Sequence, residues 1–526
     1  MSTASLKISL VTAGAVLFNL IFWQEKFALN SLLFDAFVLW SVFYLYPGAF
    51  AKPVMKWLCG AHIITVAAVL IQNTLLSKLA FSTTLLLVIA FTQYRHRSVL
   101  YAAASAGMNY LLMIPSFFSN IKLLKGTRFN LNRLKKSIRF LVIPMILVCV
   151  FFMLYNFANA IFKNLVNDVS LAVQHFFGDF FSWLSWQRLG FLLCGLVVTG
   201  GLLLKSSVSY FSEADARKGN DLWRKKNNLI KWKQSSWFDL LSLLMGKFAS
   251  GAMALRNEHR TAVISLILLN ALLLCINCVD IIYVWFGFTY HSEVSQSGYV
   301  HEGTGLLIFS ILLAMIVLLF FFRGNLNFYQ RNKWLRLGAY AWLLQNAVLV
   351  VSVLFRDYYY IAHFGLAYKR IGVLVFLALV LAGLVTVFIK VYQRKTVYYL
   401  LRVNAWFAII IMVAASCIHW DETIARYNLA RKDGIVVDVK FLLSLSDKVL
   451  PVIEKNIEVL DRRDTANIDG EGKYLYRSSL TYRQIFENRK EEFSAAQKQW
   501  TWLSWNMADD YVRRELSKKT STSSVH

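Results

Sequence analysis

The sequence predicts an all-α polytopic membrane protein of about eleven transmembrane helices, followed by a small C-terminal helical domain outside the membrane. Three observations carry this reading. The chain is 57% apolar and only 16% charged. About eleven stretches approach the roughly 20 apolar residues that a helical crossing requires. Each stretch is apolar without interruption, and it lacks the period-two alternation of a transmembrane barrel strand, so spanning sheets are excluded.

The stretches are 8–23, 27–46, 57–73, 79–93, 140–162, 189–204, 261–283, 304–322, 337–355, 371–389 and 397–418. The several that fall short of full length reach it by extending about one turn. No small-residue cleavage site resembling A-x-A occurs before the second stretch begins, so the first reads as a retained helix and not a removed signal. With only five prolines, long unbroken helices are permitted. Residues 1–418 therefore form the transmembrane domain and residues 419–526 the tail.

The formal net charge of +26 does not point to nucleic acid, because of where it lies. The tail is balanced, with 18 basic and 17 acidic residues, which leaves 38 basic and 13 acidic residues in the membrane part. Segment 98–115 decides the orientation. It is moderately apolar but contains Ser105, Gly107 and Asn109. If it is interfacial or re-entrant, one face holds 31 basic and 5 acidic residues and the other 7 and 8. If it crosses, Lys7, Lys52, Lys56, Arg95 and Arg97 move outside. The positive-inside rule selects the first arrangement, with the N-terminus cytoplasmic and the tail periplasmic. The cytoplasmic loops 94–139 and 205–260 are then the basic ones, suited to anionic lipid. Within them 237–255 is amphipathic, and on the opposite face the aromatic-rich 163–188 also reads as interfacial.

The six cysteines fall in or beside apolar stretches, so a disulfide framework is not expected, and Cys275 with Cys278 reads as helix packing. In the tail, Asp421 opens a helix stopped near Gly434, and Asp438 is a predicted N-cap. A helix through Val449, Ile453, Ile457 and Leu460 follows, then a polar loop, then helix from 480 to 507 with a frayed end after Lys518.

Ionisable groups in apolar spans are costly and so are the natural functional candidates. Asp35 is the carboxylate well inside the N-terminal stretches, and His62 lies near the start of the third. A second constellation follows from the topology. Asp280, His301, Glu302, Arg356, Asp357, His363, Lys369 and Arg370 fall at the outer ends of the seventh to tenth stretches, with His291, Glu293, His419, Asp421 and Glu422 nearby. If those ends converge they form an outward-facing pocket for a metal, an anion or a polar headgroup. Asn19, Asn270, Asn277, Gln345, Asn346 and Asn404 read instead as hydrogen bonds between helices. No HExxH, P-loop or nucleophile motif occurs, so no catalytic residue is assigned, no cofactor is expected and a non-enzymatic role is favoured.

The runs LRNEHRTAVISLILLN, DIIYVWFGF, YVHEGTGLLIFSILLA, FFRGNLNFYQRNKWLRL and ARYNLARKDGIVVDVKFLLSLSDKVLP, with FNLIFWQEKFALN nearer the start, resemble an uncharacterised family of bacterial multi-pass membrane proteins, the domain of unknown function of DUF4153/DUF4173 type. Ala367 stands where the family pattern GLTxxR has Thr, and Arg370 is in place. The resemblance implies a bacterial inner-membrane protein with a periplasmic tail and supplies no activity. Membrane lipids are the expected partners, with an envelope protein at the tail as a further candidate. Transport or envelope assembly leads, ahead of a sensor or scaffold working through the tail and of an enzyme acting on a lipid-linked substrate at the outer face. A reporter fused after Ile418 should read periplasmic and one placed within 98–115 cytoplasmic; the opposite result at either position would overturn the orientation.

Overall fold

The computed structural model describes residues 3–50, 52–124, 186–223, 254–286, 296–322, 325–431, 437–461 and 481–523, with short pieces between 144 and 169. Among the described residues there is helix and no strand, as the continuous apolar runs require. Among the described residues eight helices are long and apolar enough to cross a membrane, and Leu29–Leu45 and Gly305–Phe321 are shorter apolar helices. The protein is therefore an all-α polytopic membrane protein. Of the expected spans, 140–162 lies largely outside the described residues, as do most of 163–188 and 237–255.

The chain packs as two units, the first comprising Met1–Ala216, Ala415–Cys417 and Arg489–His526, the second Arg217–Ala414 and Ile418–Asn488. The residues of the tail are thus divided between the two.

In the first unit the helices are α1 (Thr3–Phe22), α2 (Leu29–Leu45), α3 (Pro53–Gln72), α4 (Leu75–Gln93), α5 (Val99–Leu111), α6 (Met113–Leu124), α7 (Trp186–Leu203) and α8 (Tyr210–Arg217). The α1–α7 contact is among the most extensive in the unit and depends on small residues. A Cβ on Gly14 would fall 2.3 Å from the Thr199 side chain, and one on Gly195 3.0 Å from the Ala15 carbonyl. Lipid tails are as apolar as leucine, so association in the membrane relies on such close approach and not on hydrophobic exclusion. The α1–α2 turn is fixed by Asn30, fully buried, which donates to the carbonyls of Ile21 at 3.0 Å and Lys26 at 2.8 Å and accepts from the Ala28 amide. Thr74 and Ser77 form a reciprocal cap at the start of α4.

Segment 98–115 folds as parts of two short helices broken at Leu112. With about 1.5 Å of rise per residue, α5 is too short to cross a bilayer. Its side chains meet groups at the C-terminal ends of α4 and α7: Ser105 pairs with His96 at 2.9 Å, and Asn109 bonds Gln93, Tyr94 and the Ser206 amide at 2.6–2.9 Å. The helix therefore runs across those ends. Asp215, at the C-terminal end of α8, is fully buried and accepts from the amides of Arg97 and Ser98 and from His96.

The second unit holds α9 (Ala254–Asp280), α10 (Gln296–Phe321), α11 (Lys333–Phe364), α12 (Tyr368–Gln393), α13 (Val397–Ser416) and the tail helices α14 (Trp420–Leu429), α15 (Val439–Ser444) and α16 (Leu450–Glu454). Helices α9 and α11 run parallel, joined by a polar ladder. Asn270 donates to the Gly338 carbonyl at 3.0 Å and accepts from Gln345 at 2.8 Å, Asn277 donates to the Gln345 carbonyl at 3.1 Å, and Trp285 donates to Ser352 at 3.0 Å. On α11 the rungs recur every seven residues, the spacing at which two helices keep one face together, and the partner side takes one extra residue at the π turn. Asn404 likewise joins α13 to Thr386 of α12 at 2.9 Å. Asn346, by contrast, bonds the Trp342 carbonyl of its own helix. Lys390, fully buried, donates to the Phe322 carbonyl just past the end of α10 at 2.7 Å, satisfying a carbonyl that the helix itself leaves open.

In the tail, Asp438 caps α15 through the Phe441 amide at 2.9 Å, as predicted. The predicted 480–507 helix is instead α17 (Tyr482–Gln499), a 3-10 turn at Trp502–Ser504 and α18 (Met507–Ser523). Helix α18 continues past Lys518 because Asn506 caps it and Asp510 pairs with both Arg513 and Arg514. Its leading segment docks on the α1–α2 turn: Ser504 accepts from the Lys26 amide at 2.7 Å and donates to Glu25, and Lys26 pairs with Asp509 at 3.4 Å.

Leucine at Gly14 or Gly195 should destabilise the detergent-solubilised protein by about 1–3 kcal/mol through overpacking, seen as a lowered melting temperature. Alanine at Gly60 of α3, where a Cβ meets nothing within 4 Å, should be neutral or stabilising by up to about 1 kcal/mol. Equal melting temperatures for the Gly14 and Gly60 variants would refute the close-packing account.

Candidate functional site

Two of the sequence candidates meet inside the first unit. Asp35 of α2 and His62 of α3 pair, Oδ1 to Nε2, at 2.9 Å, and the other ring nitrogen lies 2.8 Å from the Thr84 hydroxyl of α4. Thr65 adds a contact to Thr84 at 2.9 Å and donates to the His62 carbonyl. His62 is 1% exposed, and Thr65 and Thr84 are fully buried. Thr65 and Thr84 escaped the sequence reading because a lone threonine in an apolar helix ordinarily bonds its own backbone, which Thr84 also does. A carboxylate and an imidazole sharing one additional proton are together neutral, the arrangement that buried ionisable groups require. The cluster therefore locks three helices in register, and its enclosure keeps ligands away.

The outer-end candidates converge in part. Asp280, the last residue of α9, pairs with Arg356 of α11. The helix then loosens into a π turn at Ile281–Trp285, a widening common at functional sites. Asp280 Oδ2 and Arg356 Nε are buried without a hydrogen-bond partner among the described residues, as is Asp357 Oδ2. Asp357 lies within electrostatic reach of Arg370. His363 is exposed with its ring edge against Phe364, whereas the side chains of His301 and Glu302 lie outside the described residues, as do His291 and Glu293.

Lys369 and Arg370 line a cavity of about 380 Å³ at the α11–α12 turn, joined there by Asn428, Arg431 and Asp438 from the tail. The turn needs Gly365, whose φ of +85° is left-handed, and a Cβ there would sit 2.5 Å from Asn428 Oδ1. Asn428 clamps the turn by accepting from the Leu366 amide at 2.6 Å and donating to the Leu366 carbonyl at 2.9 Å. Arg370 donates to the Gly365 carbonyl and stacks 4.5 Å over Tyr360, and Arg431 donates to the carbonyls of Ile361 and Ala362. Both guanidiniums thus cap the C-terminus of α11. Sequence reasoning missed Asn428 and Arg431. Both stand in the ARYNLARKDG run, Asn428 in the last turn of α14 and Arg431 just past its end.

The first turn of α12 also lines the cavity. Its N-cap, Ala367, makes no side-chain cap, so the first amides of a 26-residue helix lack the acceptor that a threonine would bring. Uncapped amides beside Lys369, Arg370 and Arg431 favour an anion. Among the lining residues the carboxylate is Asp438, already engaged as the cap of α15. Nearby, Asp421 accepts from Tyr368 at 2.5 Å and from Ser446 at 2.6 Å, tying the tail to α12. Among the described residues no three His, Cys, Asp or Glu side chains are placed to hold a metal ion.

The family model of a domain of unknown function, DUF4153, matches residues 29–456, and the chain belongs to this family. The match includes the Asp35–His62 cluster and the cavity at the α11–α12 turn and excludes α1, α17 and α18. No curated protein and no solved structure matches the chain.

His419 caps α14 by accepting the Glu422 amide on Nδ1 at 3.2 Å, which requires that nitrogen to be unprotonated. Burial first, and Lys448 second, holds its pKa below the ordinary histidine value. The unfolded chain therefore takes up the proton first as pH falls, and the cap's contribution, about 1 kcal/mol, is present above about pH 6.5 and lost below it. In histidine-selective NMR the His419 ring should titrate below that value, and His419→Asn, a cap that does not titrate, should remove the acid sensitivity of α14. Titration at or above about 6.5 would contradict this account.

Proposed function

We propose that this member of the DUF4153 family binds the anionic group of a polar or lipid-linked ligand in the cavity at the α11–α12 turn. The observation that carries the reading is the uncapped first turn of α12 opening into a cavity lined by Lys369, Arg370 and Arg431. A helix N-terminus supplies oriented amides and a partial positive charge, and the basic side chains supply counter-charge and, for arginine, a planar donor fork.

Binding or handing on a ligand suits the site better than catalysis does. Its carboxylate is held as a helix cap, and its guanidiniums are held by backbone carbonyls, so among the described lining residues none is poised as a general base. Transport or envelope assembly is therefore the class of work assigned to the protein. The charge asymmetry of the loops favours a bacterial inner membrane with the α11–α12 turn on the periplasmic side. The bonding of Ser504 and Asp509 into the α1–α2 turn supports a tail that is a structural part of the first unit more than a free sensor arm.

Lys369 is exposed and holds no helix end, so Lys369→Gln should leave the melting temperature unchanged while weakening binding of a phosphate- or carboxylate-bearing probe several-fold by calorimetry in detergent. Ala367→Thr should stabilise the free protein by about 1 kcal/mol and weaken the same probe by competing for the α12 amides. Probe affinity unchanged in both variants would exclude this site.

A further inference from the structure

The first unit contains a second concentration of positive charge, which the α12 cavity does not involve. Helix α2 ends at Leu45, and the chain turns through Pro47–Ala49 to Lys52, which immediately precedes α3. Arg95 follows the end of α4, Lys205 follows the end of α7, and Ser209 precedes α8. These three junctions enclose a basin of about 570 Å³ lined by Lys52, Arg95 and Lys205 and by Tyr46, Ser209 and Ser212.

Three features distinguish the basin from an ordinary solvated rim. Lys52, Arg95 and Lys205 form no ion pair among the described residues. The Lys205 ammonium sits 4.8 Å over the Tyr94 ring, and burial, then the charge of Lys7, pushes its pKa down, so a fourth cation is close by. The Tyr46 hydroxyl is buried without a hydrogen-bond partner among the described residues. An unionised phenol is an O–H donor. A buried donor left unmade costs about 1–3 kcal/mol, a cost that an acceptor in the basin removes.

The surroundings are also prepared. Gln93 and Tyr94 of its wall are tied by hydrogen bonds to Asn109 and Ser206. The nearby carboxylate, Glu213, takes the Ser209 hydroxyl. On the same helix ends Tyr44 and Trp57 are exposed, the amphipathic aromatics that mark the headgroup level of a membrane protein.

We infer that this basin is a binding site for a phosphate-bearing group, with Lys52, Arg95 and Lys205 as counter-charges and the Tyr46 hydroxyl as the neutral donor. Phosphate fits because it offers several acceptor oxygens and up to two charges, matching several cations and a buried hydroxyl in one basin. Two sources carry that chemistry, the headgroup of an anionic phospholipid and a soluble phosphate, and they are separable by experiment.

The test uses the full chain in detergent micelles, with phosphatidylglycerol, phosphatidylcholine and inorganic phosphate as probes and binding followed by native mass spectrometry and calorimetry. Phosphatidylglycerol should bind in preference to phosphatidylcholine, and the K52Q/R95Q/K205Q variant should lose at least about tenfold in affinity. Tyr46→Phe, which keeps shape and fold, should lose about three- to tenfold. Lys56→Gln, which removes a neighbouring charge outside the basin, should change affinity by less than about twofold. Displacement of the lipid by inorganic phosphate assigns the site to a soluble ligand, and lipid binding that resists phosphate assigns it to the headgroup. Failure of both probes to bind, or equal binding by the wild-type, triple-variant and Tyr46→Phe proteins, overturns the inference.

Discussion

A membrane interior offers no water to a polar group, and most of this structure follows from that denial. Each backbone amide and carbonyl within a span is satisfied by its own helix. The unsolved problem is therefore at helix ends, where carbonyls have no partner further along. This chain answers it repeatedly with cations. Lys390 donates to the Phe322 carbonyl, Arg336 to those of Val391 and Tyr392, Arg370 to Gly365, and Arg431 to Ile361 and Ala362. A positive group there also meets the negative end of the helix dipole. These four cations are thus structural before they are functional.

The same constraint makes the exceptions informative. Nearly every polar side chain placed between helices has found a partner: Asn270 and Gln345, Asn404 and Thr386, and Asp35, His62 and Thr84. Among the described residues, unpartnered atoms remain within the bundle, on Asn277, Trp342 and Gln345, and two further gaps lie at cavity walls. Ala367 leaves the α12 amides without a cap at the wall of one cavity, and Tyr46 Oη is left unbonded at the wall of another. Unsatisfied buried groups are rare in native proteins and call for a reason. An anionic ligand is a reason that both places share, since each also gathers basic side chains.

The candidate site was half legible. Lys369 and Arg370 stand together in the text at the end of an apolar run, and position alone put them at a membrane face. Arg431 and Asn428 could not be joined to them, because local pattern does not tell which tail residue returns to which turn. Asp35 and His62 were each conspicuous as ionisable groups in apolar stretches, but their pairing depends on the rotation of α2 and α3 about their axes. That rotation is settled by packing against neighbours, which periodicity does not report in helices apolar all round. His363 illustrates the converse: its position suggested convergence with Arg370, and the helix turns it outward to Phe364.

The sequence by itself determined the helical class, the membrane setting and most span boundaries, because each depends on the local balance of apolar and polar residues over about 20 positions. It also determined caps such as Asp438, whose partner is three residues away. Tertiary structure alone decided that the tail's two ends belong to different packing units, that α5 lies across the ends of α4 and α7, and that cations far apart in the chain share a basin. Those outcomes depend on which helices touch. Between helices in lipid that choice is made by small-residue fit and a few hydrogen bonds, Gly14 against Thr199 or Asn270 against Gln345, too sparse to be read along one strand of text.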